Sequence, residues 1–213
     1  MLAMLQSTVS GAINQTELRQ LLENLYQGRY LRTFAAGHLI PLQGHEIWVV
    51  SRGVALLSTL HPSGDEALLG LASPAMPFGL PLTLIHPYQA TALSTVDAMC
   101  LSMVEVEQSP ALAQELFRSV TRRLRQTEAI LAMAGCRRVD DRLRQLLRLL
   151  QVEVGQPIEM GVRLNVRLTH QHLASAIGTT RVTVTRLLGQ LREEGKLIVD
   201  DDRHLVLPYG VTL

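Results

Sequence analysis

The chain has 213 residues, which is long enough for one large domain or two small ones. Hydrophobic residues make up 47% of it and charged residues 18%, so a packed core is expected and a wholly disordered chain is excluded. Two cysteines, Cys100 and Cys136, are too few for a disulfide framework, a four-cysteine zinc site or a four-thiolate iron–sulfur cluster. We interpret them as reduced thiols of a cytoplasmic protein.

The two halves of the chain carry opposite net charge. Residues 1–108 contain four arginines, no lysine and eight acidic residues, for a net charge of −4. Residues 109–213 contain 16 basic and 11 acidic residues, for a net charge of +5. The asymmetry indicates two domains, of which the arginine-rich one could bind a polyanion. Arginine that merely covers exposed helix faces would give the same count, so charge alone leaves both interpretations open.

One long uncharged stretch does not favour a membrane span. The N-terminus lacks the basic region of a signal peptide. From Ala67 to Val96 there is no Asp, Glu, Lys or Arg, yet four prolines and two glycines interrupt this stretch. Such spacing would break a spanning helix repeatedly, so buried strands and turns are predicted and no membrane association is expected.

The N-terminal half predicts a short helix followed by a β-domain. Residues 16–27 have leucines at helical spacing, and Gly28 would end the helix. From Tyr30 to Val106, short apolar runs alternate with turn residues roughly every ten residues, as expected for an antiparallel sandwich or barrel.

A long helix is predicted next. Ser109 and Pro110 fit the N-cap and the first helical position, where proline needs no hydrogen-bond donor. Apolar or small residues then recur with a heptad-like period, which favours a homodimer seam over a helix that only covers its own barrel. Both interpretations stay open. The residues of this predicted seam are Leu116, Val120, Leu124, Thr127, Leu131 and Ala134.

The C-terminal part predicts a winged helix-turn-helix. After a hinge at Gly135–Cys136, we expect a helix over 139–152 and a hairpin over 157–168. Thr169 can N-cap a two-turn helix, and Gly178 permits a sharp turn. A second helix starts near Thr180 and buries Val184, Leu187, Leu188 and Leu191. Residues 195–207 would form the wing, whose acidic turn at 200–202 would not bind phosphate.

The outer face of the second helix has the chemistry of a recognition helix. Arginine matches the two acceptors of guanine, and Val182 could touch a thymine methyl. The hydroxyls of Thr180 and Thr183 suit phosphate oxygens, and we expect His170 to donate to a phosphate. The predicted DNA-binding residues are Thr169, His170, Gln171, Thr180, Arg181, Val182, Thr183, Thr185 and Arg186.

The β-domain, the long helix and the C-terminal winged helix-turn-helix resemble the CRP/FNR superfamily of bacterial transcription regulators over nearly the whole chain. The block from Gly178 to Arg192 is especially similar to the global nitrogen regulator, or NtcA, type. The resemblance implies an α+β fold: a β-roll (jelly-roll) effector domain at 1–108, a dimerisation helix at 109–135 and a DNA-binding domain at 136–213. It further implies a homodimer that reads a palindromic GTA half-site through Arg181, Val182 and Arg186 and acts as an activator or a repressor, with double-stranded DNA and RNA polymerase as partners.

Cyclic AMP is not the expected effector. Cyclic-nucleotide sites of this superfamily use a Gly-Glu pair and an Arg-Ser pair. Here no Glu follows Gly79, and Gln89–Ala90 stands where Arg-Ser would be. No Arg or Lys lies between Arg52 and Arg118, so a phosphate would lack charge-assisted donors in this region.

The resemblance implies 2-oxoglutarate as the effector, and the chain has part of the residue set that binds it in the nitrogen regulators. Phe78, Gly79 and Leu80 resemble the ligand loop of the nitrogen regulators, and Arg123 and Glu128 match their helix residues. The second arginine of that site is replaced by His86 or a neighbour, so a dicarboxylate would find one firm cation instead of two. A different effector, or none, remains an alternative.

Two other function classes fit the sequence less well. A cupin-like metal enzyme would need clustered histidines and carboxylates, whereas the barrel offers only the His45–Glu46 pair, so the chain is expected not to be an enzyme. A sensory or protein-interaction module would use the helix-turn-helix only as a structural unit. Exposed arginines at 181 and 186 argue against that alternative.

Overall fold

A computed structural model describes residues 29–211 and Leu213, so the predicted helix at 16–27 lies outside the described residues. The described helices are α1 (Met103–Gln108), α2 (Pro110–Ala134), α3 (Val139–Val154), α4 (His170–Ile177) and α5 (Arg181–Glu193), with a short 3-10 helix at Leu80–Leu82. The N-terminal strands are β1 (Leu31–Phe34), β2 (Glu46–Arg52), β3 (Ala55–Leu60), β4 (Glu66–Ala72), β5 (Pro77–Phe78), β6 (Gln89–Ala92) and β7 (Val96–Ser102). The C-terminal strands are β8 (Gly155–Ile158), β9 (Gly161–Leu164), β10 (Ile198–Val199) and β11 (Leu205–Pro208).

The N-terminal strands form the predicted antiparallel β-roll. One sheet has the order β1-β7-β2-β5 and the other β4-β3-β6. Apolar side chains at alternate positions of both sheets fill the space between them, as the two-residue period of a strand requires. Trp48 and Phe78 are the largest of these, and the indole N–H of Trp48 donates to the Pro41 carbonyl at 3.0 Å.

Helix α2 begins as the sequence predicts but packs differently at its first turns. The Ser109 side chain accepts a hydrogen bond from the Leu112 amide, and Pro110 occupies the first turn. Leu112 and Leu116 are buried against Ile47 and Leu101 on the outer face of the first sheet. Placing Leu116 in the outward seam was therefore wrong, because this residue belongs to the contact between the helix and its own barrel.

A separate row of α2 is left exposed. Phe117, Leu124 and Leu131 recur every seven residues and are 71%, 57% and 73% exposed. Val120 packs partly against the barrel. The helix thus lies on its own barrel with one face and presents a heptad row on another. Adjacent leucine and phenylalanine at 116 and 117 fit either face, so the period alone did not distinguish them.

The C-terminal elements form a compact head around a second core. Helices α3, α4 and α5 surround buried leucines and pack on a sheet with the order β10-β11-β9-β8. The first hairpin is shorter than predicted at its far end, since β9 stops at Leu164. Val166, expected in that strand, lies beyond the pairing and is buried in the head's core instead.

The head packs directly on the β-roll. Leu56 and Leu71, on the outer face of the second sheet, share one apolar cluster with Leu146 and Leu150 of α3. Along the part of the chain that the structure covers, no helix has the length and apolar character needed to span a membrane.

Candidate nucleic-acid interface

Helices α4 and α5 form the helix-turn-helix, and local capping explains where each begins. The Thr169 hydroxyl accepts from the His172 amide at 3.0 Å, while the Thr169 amide donates to Nδ1 of His172 at 3.3 Å. This reciprocal pair is a capping box in which histidine replaces the usual Glu or Gln. Gly178 ends α4 with φ +61°, a left-handed conformation that glycine adopts without steric cost.

Helix α5 has a buried face and an exposed polar face, as predicted. The Thr180 hydroxyl caps it by accepting from the Thr183 amide at 3.2 Å. The inner residues Val184, Leu187, Leu188 and Leu191 are buried. On the outer face Arg181, Thr185 and Arg186 are exposed, and Val182 has 78% of its surface exposed. The exposed face thus combines two guanidinium groups, a hydroxyl and an aliphatic side chain.

Side-chain hydrogen bonds join two pairs of the predicted DNA-binding residues. Nδ1 of His170 lies 2.7 Å from the Thr185 hydroxyl oxygen, which links the start of α4 to the middle of α5. The Thr180 and Thr183 hydroxyl oxygens are 3.0 Å apart. Gln171 lies one turn from Ser175, to whose hydroxyl its amide donates at 3.4 Å.

Arg186 has a hydrogen-bond partner that was not predicted from the sequence. Nη1 of Arg186 donates to Oε1 of Gln190 at 3.3 Å. The i,i+4 spacing could have indicated this pair. Such a contact limits the rotamers of the exposed guanidinium and keeps it on the outer face.

The wing and the neighbouring strand β9 share an ion-pair network. Asp200, Asp202 and His204 bring their ligand atoms within 4.8 Å of one another, a spacing that could hold a metal. However, the Arg163 guanidinium already lies among them, with Nε 2.7 Å from Asp200 and Nη2 3.0 Å from Asp202. We therefore interpret the cluster as an internal salt-bridge network that stiffens the wing.

Away from the helix-turn-helix, Arg123 is the centre of the predicted effector site. Its Nη1 donates to Oε1 of Gln126 at 2.6 Å, and its Nη2 donates to the Leu69 carbonyl at 3.2 Å. Burial lowers the pKa of Arg123, and the nearby Tyr88 hydroxyl acts in the opposite direction. Burial likewise raises the pKa of Tyr88, against the influence of Arg123. The guanidinium is thus a partly buried cation with partners inside the chain.

The edge of β4 is shaped to receive this part of α2. Oε1 of the buried Gln126 accepts from the Leu71 amide at 2.8 Å as well as from Arg123. Gly70, between these contacts, has φ +150°, and a Cβ at that position would overlap Nη1 of Arg123. Glycine at 70 therefore permits the close approach of helix and strand.

The other predicted effector residues are only partly brought to Arg123. Phe78 is buried in the core of the β-roll, and Gly79 with Leu80 leads into the 3-10 helix. His86 is exposed in the following loop. Glu128 is also exposed, and the five-residue offset puts it about 140° around the helix from Arg123. The contacts with Tyr88, Gln126 and Gly70 were missed, because they depend on the docking of distant segments.

Known proteins resemble this chain both in its C-terminal head and over most of its length. Residues 141–208 match the family model described as a Crp-like helix-turn-helix domain. The chain is 36% identical to the regulatory protein CysR of Synechococcus elongatus over 178 residues, which are 82% of either chain. It is 32% identical to the global nitrogen regulator of Nostoc sp. over 177 residues, 78% of either chain.

A solved structure agrees in fold. The crystal structure of a CRP-family transcriptional regulator from Thermus thermophilus has a TM-score of 0.69 with 22% identity. The match covers 83% of this chain and 91% of that one. All three relatives are regulators, in agreement with the expectation that the chain is not an enzyme.

Proposed function

Because the chain belongs to the CRP/FNR family of transcription regulators, of the nitrogen-regulator type, we propose that it acts as a homodimer that reads a palindromic DNA site. The observation that carries the proposal is the outer face of α5, where two arginines and a 78% exposed valine stand clear of the head's core. Arginine can donate two hydrogen bonds to guanine, and an aliphatic group can contact the thymine methyl.

The contacts to the DNA backbone come from the two helix starts in this proposal. Thr169, His170 and Gln171 begin α4, while Thr180 and Thr183 begin α5. Backbone amides and hydroxyls at helix N-termini are suited to phosphate oxygens. These contacts would set the position of the head on the duplex, whereas Arg181, Val182 and Arg186 would provide sequence preference.

The exposed row of α2 supports the dimer. Three large apolar side chains at seven-residue spacing form the narrow stripe that a two-stranded coiled coil buries. Thr127 lies between Leu124 and Leu131, and Ala134 follows Leu131, at the intermediate positions of the same seam. Two-fold symmetry would then present two α5 helices to successive major grooves, about 34 Å apart. A palindrome of GTA-like half-sites fits this arrangement.

We further propose that the chain divides by role at 1–108, 109–135 and 136–213, with the β-roll as sensor, α2 as dimer axis and the head as DNA reader. RNA polymerase is the proposed partner at promoters, with the protein acting as an activator in the cytoplasm. Contacts of the β-roll with both α2 and α3 support a coupling between sensor and reader.

For the effector, Arg123 is the proposed anchor of a carboxylate. 2-Oxoglutarate is the compound to test first, and it would have to displace Gln126 from the guanidinium. That internal bond equally supports the alternative of an effector-independent regulator, in which Gln126 takes the place of a ligand. Cyclic AMP is not proposed, since the segment from Gly53 to Phe117 has no arginine or lysine for its phosphate.

Selection of bound sequences from random DNA tests this function. A palindrome of two half-sites one helical turn apart is expected, with an affinity that falls steeply as salt rises. Recovery of no common sequence, both with and without 2-oxoglutarate, would contradict the proposal.

A further inference from the structure

We infer that Thr185 contacts DNA through its methyl group, not its hydroxyl, and that the base it reads is a thymine. This inference rests on the proposed function, since it concerns which atoms of the recognition helix meet a base. It differs from the simple expectation that an exposed threonine beside two arginines donates a hydrogen bond to DNA.

The hydroxyl of Thr185 uses its proton in a hydrogen bond within α5. Oγ1 lies 2.9 Å from the carbonyl oxygen of Arg181, one turn earlier in α5. A carbonyl oxygen only accepts hydrogen bonds, so Thr185 must be the donor. A hydroxyl has a single proton, and this bond uses it.

The second contact of the hydroxyl follows from the first. Nδ1 of His170 lies 2.7 Å from the same Oγ1. Because the hydroxyl proton points to Arg181, the oxygen must accept here and Nδ1 of His170 must carry a hydrogen. The geometry therefore assigns the tautomer of His170. It also means that a neutral His170 uses its one ring N–H on Thr185, which leaves its backbone amide as its donor toward a phosphate.

Because of these two bonds, the hydroxyl cannot donate a hydrogen bond to an acceptor group on DNA. Phosphate oxygens, guanine O6 and N7 and thymine O4 all require a donor, and Thr185 has none left. The side chain is nevertheless exposed, on the same face as Val182 and Arg186. With Oγ1 held against the helix backbone and the α4 imidazole, the methyl is the group left to face a ligand. A threonine methyl against the C5 methyl of thymine is one of the standard apolar contacts of the major groove.

Paired variants of protein and DNA test the inference. Thr185→Val keeps a methyl and removes the hydroxyl, whereas Thr185→Ser keeps the hydroxyl and removes the methyl. The two changes are similar in helix propensity, and thermal unfolding checks that both heads stay folded. The DNA is the selected palindrome with each half-site thymine replaced in turn by deoxyuridine, which lacks only the C5 methyl.

The expected result is one thymine position whose response depends on residue 185, distinct from any thymine that Val182 contacts. The wild type should lose affinity roughly fourfold at one thymine when its methyl is removed, as for one buried methyl group. Thr185→Val should respond in the same way. Thr185→Ser should bind the unmodified site roughly fourfold more weakly per half-site and be insensitive to deoxyuridine at that position. Val182→Ala is the matched control, and it should leave the response at that position intact.

Failure of the Thr185 inference and failure of the proposed function would give different results. Full affinity of Thr185→Ser together with a loss for Thr185→Val would mean that the hydroxyl makes the contact, and would overturn the inference. So would a site at which no thymine responds to loss of its methyl. If the wild type does not prefer the palindrome to scrambled DNA, the proposed function itself fails, and the two failures are thus distinguished.

Discussion

Arg122 of the long helix lies 3.0 Å from the Glu153 carboxylate of α3. The same guanidinium donates to the Ser73 hydroxyl at 3.1 Å and to the Pro74 carbonyl at 3.2 Å. One side chain therefore joins the β-roll, the long helix and the first helix of the head. The Glu153 side chain is only 7% exposed, so this ion pair is largely shielded from water.

The first prediction concerns this junction. Arg122→Leu should lower the free energy of unfolding by about 2–3 kcal/mol, because it leaves the Glu153 carboxylate nearly buried without its partner. Thermal or urea unfolding measures the loss. The matched control is Arg118→Leu, which removes an ion pair with Glu115 in which Arg118 is largely exposed, and should cost under about 1 kcal/mol. Equal costs for the two variants would contradict the role given to Arg122.

The second prediction concerns the exposed row of α2. Leu124→Asp should convert the dimer to a monomer, because it places a charge in the middle of the proposed apolar seam. Sedimentation velocity measures the change, and affinity for the full palindrome should fall while affinity for a single half-site changes little. Val104→Asp is the control, since Val104 is a similarly exposed aliphatic on α1, outside the seam. Dimers of unchanged stability with Leu124→Asp would rule out this seam.

The third prediction concerns the effector. If 2-oxoglutarate engages Arg123, calorimetric binding should vanish in Arg123→Met, which removes the only cation proposed for its carboxylates. Gln126→Met should bind the ligand more tightly, because Oε1 no longer competes for the guanidinium. That variant also leaves the Leu71 amide without its acceptor, at a cost of about 1–3 kcal/mol in stability. Binding that persists unchanged in Arg123→Met would exclude this site.

The fourth prediction concerns acid stability. Burial lowers the pKa of His172, partly offset by the charge of Glu66 on β4. The folded protein therefore holds the neutral imidazole more strongly than the unfolded chain does. This contribution to stability is complete above the unfolded-state pKa, near 6.5, and is lost as the pH falls below it.

His172→Gln should flatten that dependence. Glutamine can preserve the capping box with Thr169, so the helix start is retained. Urea unfolding at about pH 7.5 and about pH 5.5, on either side of the ordinary histidine pKa, should show a smaller loss on acidification for the variant than for the wild type. Glu66→Gln should have the opposite effect and enlarge the loss, because the offsetting charge is gone. Identical losses in all three proteins would contradict the prediction.

Local patterns allowed much of this molecule to be predicted. The cap at Ser109, the turn at Gly178 and the inner face of α5 each depend on a few neighbouring residues, and the structure confirms them. Helical period also identified the outer face of α5. These features need no knowledge of how distant segments dock.

Features that depend on docking were missed or misassigned. Leu116 and Phe117 are adjacent apolar residues, and only the position of the β-roll decides that the first is buried and the second exposed. The partners of Arg123 come from β4, the loop before β6 and the next turn of α2. The contact between His170 and Thr185 likewise joins two helices of the head. No spacing in the sequence contains that information.

The central claim is that Arg181 and Arg186 read bases in a symmetric DNA site. The most direct measurement is the affinity of Arg181→Ala and Arg186→Ala for the selected palindrome and for scrambled DNA of equal length, at one fixed salt concentration. We expect each variant to lose about 1–3 kcal/mol per half-site on the palindrome and to bind scrambled DNA almost as the wild type does. Undiminished preference for the palindrome in both variants would contradict the account.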